Sequence, residues 1–240
     1  MLQNWIFSSS QDNSTVKDLT VGAADALPAG PAMYLPSLFA ESRPEELHRL
    51  VREHPLGMLV THTAGGLDAN HLPFLLDAHQ GTCGTLLAHV ARANPLWREV
   101  GEDAPVLVVF RGAQGYISPS WYPGKAETHR YVPTWNYEAV HAHGRLHVHD
   151  DETFVRGVLA RLTRRHEAGE ACPWKMGDAP ADFLADELRK VVGIEIELTR
   201  LEGKRKLSQN REARDFEGAV HALQERGHED LALAMRQAAG

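Results

Sequence analysis

The chain has 240 residues, of which 43% are hydrophobic, and a formal net charge of -7. This composition supports a sizeable core and excludes the broad positive field that draws proteins to nucleic acids or anionic membranes. The two cysteines, Cys83 and Cys172, are too few for a disulfide framework, which favours a reducing compartment, with the cytoplasm as the expected location.

Three stretches of different character divide the chain. Residues 1–32 have no basic lead-in and no long apolar run, so neither a signal peptide nor a membrane anchor is predicted there. Their Ser-, Asp-, Gly- and Ala-rich composition predicts a mobile extension. Residues 33–210 are predicted to form the main domain, and residues 211–240 are predicted to be helices packed on it or on a dimer.

The first half of the main domain is predicted to hold one short helix followed by consecutive strands. The helix is indicated by a capping box with proline in its first turn, at Ser42–Glu45, and it is expected to run to about His54. A Gly-rich turn between the first two strands predicts a hairpin. The strands are predicted at residues 57–63, 67–76, 86–90 and 104–111.

The second half continues the sheet and then adds helices. Residues 115–117 extend the last strand into a Pro-rich loop, and residues 134–149 form a long extended segment. Asp150 is predicted to cap a helix with an apolar stripe that includes Val158 and Leu162. A returning strand is predicted at 191–201, followed by helices at about 211–226 and 229–238. Because strands follow one another without βαβ alternation, the sequence predicts an α+β fold with a small antiparallel β-barrel.

The segment from His89 to Pro95 (HVARANP) stands where a strand ends and a short helix begins. Arg92 offers five fixed donors, Asn94 can cap the helix, and free backbone N–H groups there attract an anion. A charged strand end with a capping Asn explains the same residues, so the pattern alone leaves both interpretations open.

A second candidate is the segment Asn70–His71–Leu72–Pro73, where a proline falls within a predicted strand. Proline removes one ladder donor and marks an edge or a bulge, where a planar ligand can meet bare backbone. A simple edge strand bent by proline is the alternative.

Aromatic residues cluster around the Pro-rich loop, and aromatic side chains on loops commonly serve binding. Packing between two subunits would use the same residues. The cluster consists of Tyr116, Trp121, Tyr122, Tyr131, Trp135 and Tyr137.

Four histidines alternate along the long extended segment, at positions 141, 143, 147 and 149, and alternate residues of a strand share one face. No Cys, Asp or Glu of that face is seen to join them, and Gly144 is expected to break the strand, so no metal site is predicted. The basic groups at 204–206 and 161–165 lie in no DNA-recognition motif, and no catalytic residue can be nominated.

Five segments, in this order, resemble the PaiB family of FMN-binding negative transcriptional regulators from about Met33 to the C-terminus. They read HLPFLLD, GTLLAHVARANPLW, YISPSWY, VPTWNYEAVHAHG and KLSQNR. The resemblance implies an FMN-binding split barrel that forms a homodimer, with the flavin in a cleft at the subunit interface.

The resemblance also implies a set of flavin contacts. Arg92 becomes the leading phosphate ligand, within the segment that contains His89, Val90, Ala91 and Asn94. The backbone of the strand Asn70, His71, Leu72 and Pro73 faces the isoalloxazine edge. The contacts implied from the other subunit are Trp121, Tyr122, Trp135, Asn136 and Tyr137, while Lys206, Ser208 and Gln209 close the site or the dimer.

Three functions follow as hypotheses. The first is a flavin-binding repressor that acts on DNA directly or through a partner, although the charge of -7 argues against strong intrinsic DNA affinity. The second is a flavin-dependent oxidoreductase, for which no hydride-donor site is visible. The third is a module that binds haem or another tetrapyrrole through some of the 14 histidines.

Overall fold

The computed structural model describes residues Met33–Ala239, so the extension predicted at residues 1–32 lies outside the described residues. The strands are β1 Ala40–Glu41, β2 Leu56–Thr63, β3 Gly66–Pro73, β4 Leu75–Asp77, β5 Thr85–Ala91, β6 Ala104–Ile117, β7 Thr134–His149 and β8 Val191–Lys206. The α-helices are α1 Pro44–Glu53, α2 Leu96–Glu99, α3 Lys125–Thr128, α4 Glu152–His166, α5 Ala181–Leu188, α6 Ala213–Gln224 and α7 Glu229–Ala239.

The strands form one antiparallel sheet with the order β3-β2-β6-β7-β8-β5-β4, and β1 adds to β8. The strand at one edge, β3, runs through Phe74 directly into β4 at the other edge, so the sheet must curl on itself. The Phe74 amide donates to the carbonyl of Pro55 at 2.8 Å and holds this corner. The result is an antiparallel split barrel in an α+β setting, which confirms the predicted fold class.

Alternate residues of each strand point into the barrel and form the main core. Fully buried members include Leu59, Leu86, Val108, Ala142 and Ile194. Helix α1 contributes the apolar side of its surface to this core through Leu47, Leu50 and Val51, which recur at helical spacing.

Two further clusters lie outside the barrel interior. Helices α6 and α7 pack on the ends of β6 and β8 of their own protomer, with Ile117, Leu207 and Met235 at the centre of the contact. Helix α4 covers the outer face of β4 and β5 through Val158 and Leu162.

Two helix starts differ from the sequence prediction. Pro44 is the first residue of α1, but its cap is Arg43 without a side-chain hydrogen bond, so the predicted Ser42 capping box is wrong. At α4 the cap is Asp151, which accepts from the Phe154 amide at 2.8 Å, and the predicted cap Asp150 is engaged elsewhere.

The remaining differences concern element lengths. Strand β8 continues to Lys206, five residues beyond the predicted end at 201, because β7 offers backbone partners that far. Helix α5 was not predicted. None of the helices between Met33 and Ala239 combines the length and apolarity needed to cross a membrane.

Candidate functional site

Two of the candidate segments meet where the barrel is split. The Asn94 side chain donates from Nδ2 to Oδ1 of Asn70 at 2.8 Å and joins the loop after β5 to the edge strand β3. Its Oδ1 accepts from the Leu96 amide at 2.9 Å, so Asn94 does satisfy a first-turn amide of α2, although Pro95 is the cap. Trp97 completes the turn by donating from Nε1 to the carbonyl of Arg92 at 3.0 Å.

Arg92 connects the ends of three strands, because it follows β5 and its side chain bonds to residues at the end of β7 and at the start of β8. Its Nη1 and Nη2 donate to the two carboxylate oxygens of Asp150, at 2.8 and 2.5 Å, and this pairing raises the pKa of the guanidinium. The side chain also donates to the carbonyls of Arg189 at 2.6 Å and Val191 at 3.3 Å. These four bonds occupy four of the five N–H donors of arginine, so one remains for a ligand.

Arg98 is a cation at this edge that the sequence analysis did not single out. Its guanidinium lies 4.3 Å from the centroid of the Trp97 indole and is exposed. Among residues 33–239 it has no carboxylate partner within ion-pair distance. The sequence does show that Arg98 directly follows Trp97 in the short helix α2. The stacking of the two side chains, however, depends on how the loop before the helix bends.

His89 lies on the outer face of β5, beneath α4. It is directly opposite Gly193 of β8, which in turn is opposite His149 of β7. The Phe154 ring occupies the space above Gly193 and stacks on His149 at 3.8 Å. Burial lowers the pKa of His89, and its Nδ1 is buried without a hydrogen-bond partner among the described residues.

The other segment residues are distributed by strand alternation. On β3, Leu72 points into the core, whereas the side chains of His71 and Pro73 are exposed. On β5, Val90 is buried in the core and Ala91 is exposed at the strand end. Because the Leu72 and Val90 side chains are buried, only the backbone of these two residues is open to a ligand.

The aromatic residues and the segment 206–210 (KLSQN) form a second group, which lies where β7 begins and β8 ends. Tyr137 is directly opposite Lys206, and Lys206 donates from Nζ to Oγ1 of Thr134 at 2.7 Å. Gln209 closes the turn, because its Oε1 accepts from the Leu207 amide and its Nε2 donates to the carbonyl of Arg205.

Three members of the second group are enclosed by their own protomer. Tyr122, Asn136 and Ser208 are 2%, 0% and 3% exposed. Asn136 donates from Nδ2 to the Ser208 hydroxyl at 2.9 Å, and Tyr122 packs among the residues under α6. Within one protomer these three side chains therefore pack in the interior. Trp121, Trp135, Tyr137, Lys206 and Gln209 retain exposed surface.

The two groups lie at opposite ends of β8. Ala91 is paired with Val191 at the start of β8, whereas Tyr137 is paired with Lys206 at its end. Fifteen residue steps at about 3.3 Å each separate these positions by roughly 50 Å along the strand. The two groups therefore stand at different ends of β8 within one protomer.

Each of the four alternating histidines has a carboxylate neighbour. His143 Nε2 lies 3.3 Å from Glu202, His147 Nδ1 lies 3.1 Å from Glu102, and His149 Nε2 lies 3.2 Å from Glu195. His141 is directly opposite Glu202. The expectation that no acidic residue joins this face is wrong, because these carboxylates come from other segments of the chain. The strand also continues through Gly144, with a register shift between His143 and Gly144.

Comparison with known proteins identifies the family. Residues 33–200 match the family model described as "Putative FMN-binding domain". The "Protease synthase and sporulation protein PAI 2" of Bacillus subtilis is 33% identical over 195 residues, which cover 80% of this chain and 89% of that protein.

Solved structures support the fold. The flavocytochrome Anf3 from Azotobacter vinelandii superposes with a TM-score of 0.53 at 15% identity, covering 70% of this chain and 69% of that one. The FAD and haem binding protein from Mycobacterium smegmatis gives 0.51 at 19% identity, with coverages of 70% and 73%. At these identities the likeness concerns the fold alone. Together with the family match, it assigns the chain to the PaiB family of FMN-binding split-barrel proteins.

Proposed function

We propose that the protein binds FMN at the interface of a homodimer and acts as a negative regulator of transcription. The observation that carries the proposal is the separation of the two groups of candidate residues along β8. The loop after β5 in one copy would hold the phosphate, and the aromatic group of the second copy would cover the ring.

The chemistry of the first group fits a phosphate. Arg98 has its full set of donors available, Arg92 has one, and a guanidinium matches the geometry of phosphate oxygens. The unpartnered Nδ1 of His89 lies in the same segment, opposite Gly193, above which the Phe154 ring lies. Arg98 is therefore added to Arg92, His89 and Asn94 as a candidate phosphate contact.

The second group fits the flavin ring. Trp135 is half exposed and is directly opposite Tyr116, which is 44% exposed. Trp121 meets the Tyr116 ring edge-on at a centroid distance of 6.4 Å. These flat surfaces can stack on or border a planar ring, and Lys206 adds a cation nearby. When bound, FMN would supply a redox-active isoalloxazine ring.

The outer face of β2 and β6 fits a subunit contact. Met58 is opposite Val109, and Val60 is opposite Leu107, so the four apolar side chains share one face. All four are partly exposed, and none belongs to the three core clusters. A second copy is the occupant that also completes the flavin site, since it brings the aromatic group to the phosphate group.

The regulatory role is proposed from the family resemblance, and the relative from Bacillus subtilis bears a name that refers to protease synthase and sporulation. Because each chain carries a net charge of -7, the dimer is proposed to act through a partner and not by binding DNA itself.

Titration with FMN tests the cofactor site. Replacement of Arg92 or Arg98 by Ala is expected to weaken FMN binding by roughly 10- to 100-fold, because each removes charge-assisted bonds to phosphate. Arg236→Ala on α7 is the matched control, because the Arg236 side chain is about half exposed and pairs with Glu217, and it should bind as wild type does. Unchanged affinity in both Arg92→Ala and Arg98→Ala would refute the phosphate assignment.

Light scattering tests the dimer. The wild type is expected at twice the chain mass of 26.6 kDa. Val109→Glu should yield monomers that no longer bind FMN, while Leu233→Glu, an exposed position on α7, should leave both unchanged. A monomeric variant with full FMN affinity would contradict the interface site.

Fluorescence anisotropy with DNA from the protein's own upstream region tests the regulatory mode. Action through a partner predicts that the purified dimer shows little salt-sensitive binding, with or without FMN. Tight binding whose affinity falls steeply with salt would show direct recognition instead.

A further inference from the structure

A cluster outside the flavin residues joins two histidines of β7 to one glutamate of β8. His141 and His143 share the outer face of β7, and Glu202 lies directly opposite His141. One ligating atom from each residue lies within 4.8 Å of those of the other two. His143 Nε2 is already 3.3 Å from Oε2 of Glu202, a separation close to that of two ligands on one small cation.

The three groups are partly withdrawn from water. Glu202 is 8% exposed, and both histidines are partly buried. The Nδ1 of His141 is buried and has no hydrogen-bond partner among the described residues. Leaving such a donor or acceptor unpaired is costly, and a metal ion that takes its lone pair removes that cost.

The carboxylate is also held in place. Arg200 donates from Nη1 to Oε1 of Glu202 at 2.6 Å, so the other oxygen, Oε2, faces the histidines. A ligand carboxylate fixed by an outer hydrogen bond in this way is a common feature of metal sites.

We propose that His141, His143 and Glu202 bind a divalent transition-metal ion of the Zn²⁺ type. Two imidazoles and one carboxylate suit Zn²⁺ or Fe²⁺ and disfavour Mg²⁺ and Ca²⁺, which prefer oxygen ligands. Three protein ligands leave at least one coordination position for water or another small ligand. The ion would join β7 to β8, and its binding does not depend on FMN.

Calorimetric titration of the untagged full chain with Zn²⁺ tests the site, after treatment with a chelator. One high-affinity ion per chain is expected, together with a rise in the melting temperature, because the ion binds the folded state. His141→Gln, His143→Gln and Glu202→Gln should each weaken binding at least tenfold. His147→Gln is the matched control, because His147 lies beyond the register shift on the same strand and should leave binding unchanged.

X-ray absorption at the zinc edge gives a readout that does not depend on the variants folding. The loaded wild type should show two imidazole nitrogens and oxygen ligands, and His147→Gln should give the same spectrum. The proposal is overturned if the wild type binds no stoichiometric ion, or if His147→Gln loses as much affinity as His141→Gln. Because FMN is absent from these assays, failure here leaves the flavin proposal standing.

Discussion

Arg205 of β8 is a buried cation whose removal should destabilise the fold. It is 4% exposed and donates from Nε to Glu138, itself 3% exposed, at 2.7 Å. Glu41 and Glu46 lie 3.7 and 3.8 Å away but have partners of their own in Arg43 and Arg49. Glu138 alone would therefore be left as an uncompensated buried charge in Arg205→Met.

Breaking a buried pair from one side costs about 3–5 kcal/mol. At roughly 2–4 °C per kcal/mol for a domain of this size, the melting temperature of Arg205→Met should fall by about 6–20 °C. The double variant Arg205→Met with Glu138→Leu should recover most of this loss. In the wild type, Nη2 of Arg205 already has no hydrogen-bond partner among the described residues. Replacing this ion pair by an apolar pair therefore removes fewer hydrogen bonds than replacing a fully bonded network would.

Urea unfolding followed by tryptophan fluorescence measures both variants. Arg236→Met is the control, because its pair with Glu217 is about half exposed on both sides and should contribute at most about 1 kcal/mol. The reasoning is refuted if Arg205→Met costs less than about 1 kcal/mol, or if the double variant is no more stable than the single one.

Two further predictions concern packing and pH. A Cβ at Gly193 would lie 2.5 Å from the Phe154 ring, whereas one at Gly157 on α4 meets nothing within 4 Å. Urea unfolding should therefore show that Gly193→Ala lowers the free energy of unfolding by about 1–3 kcal/mol. Gly157→Ala should raise it by about 0.5–1 kcal/mol. A Gly193→Ala variant more stable than Gly157→Ala would contradict the packing under α4. Hydrogen bonding by Arg43 lowers the pKa of Glu41 to about 2 from its ordinary 4.5. Since the folded value is the lower one, Glu41 stabilises the fold fully above pH 4.5 and loses this effect as the pH falls through about 2. The stability difference between wild type and Glu41→Gln should shrink over that range, and a difference that grows on acidification would refute the assignment.

Local sequence patterns predicted much of the fold. The end of the Pro-rich loop at Pro133 placed the extended segment at 134–149, which are the observed bounds of β7, and the Gly-rich turn predicted the hairpin of β2 and β3. The five segments that resemble the PaiB family then predicted that these strands form a split barrel. Helix α5 was missed because it is only eight residues long, and Leu188 is its one buried residue.

The site depended on contacts that no local pattern contains. Asp150 and Asp151 are equivalent as caps in the sequence, and only the fold brings Asp150 to Arg92, 58 residues away. Glu202 joins His141 because of the register between β7 and β8, which is set by the whole sheet. Burial of Asn136 and Ser208 likewise depends on α6 lying over the strand ends.

The central claim is that each flavin site combines the loop after β5 of one copy with the aromatic group of the other. It is tested by co-expressing Arg92→Ala/Arg98→Ala with Trp135→Ala/Tyr137→Ala, each under its own affinity tag, and measuring FMN bound to the purified mixed dimer. Each double variant alone should bind FMN poorly. The mixed dimer has one site with every residue intact, so it should recover one FMN per dimer at wild-type affinity. A mixed dimer that binds no better than its parents would contradict a shared site.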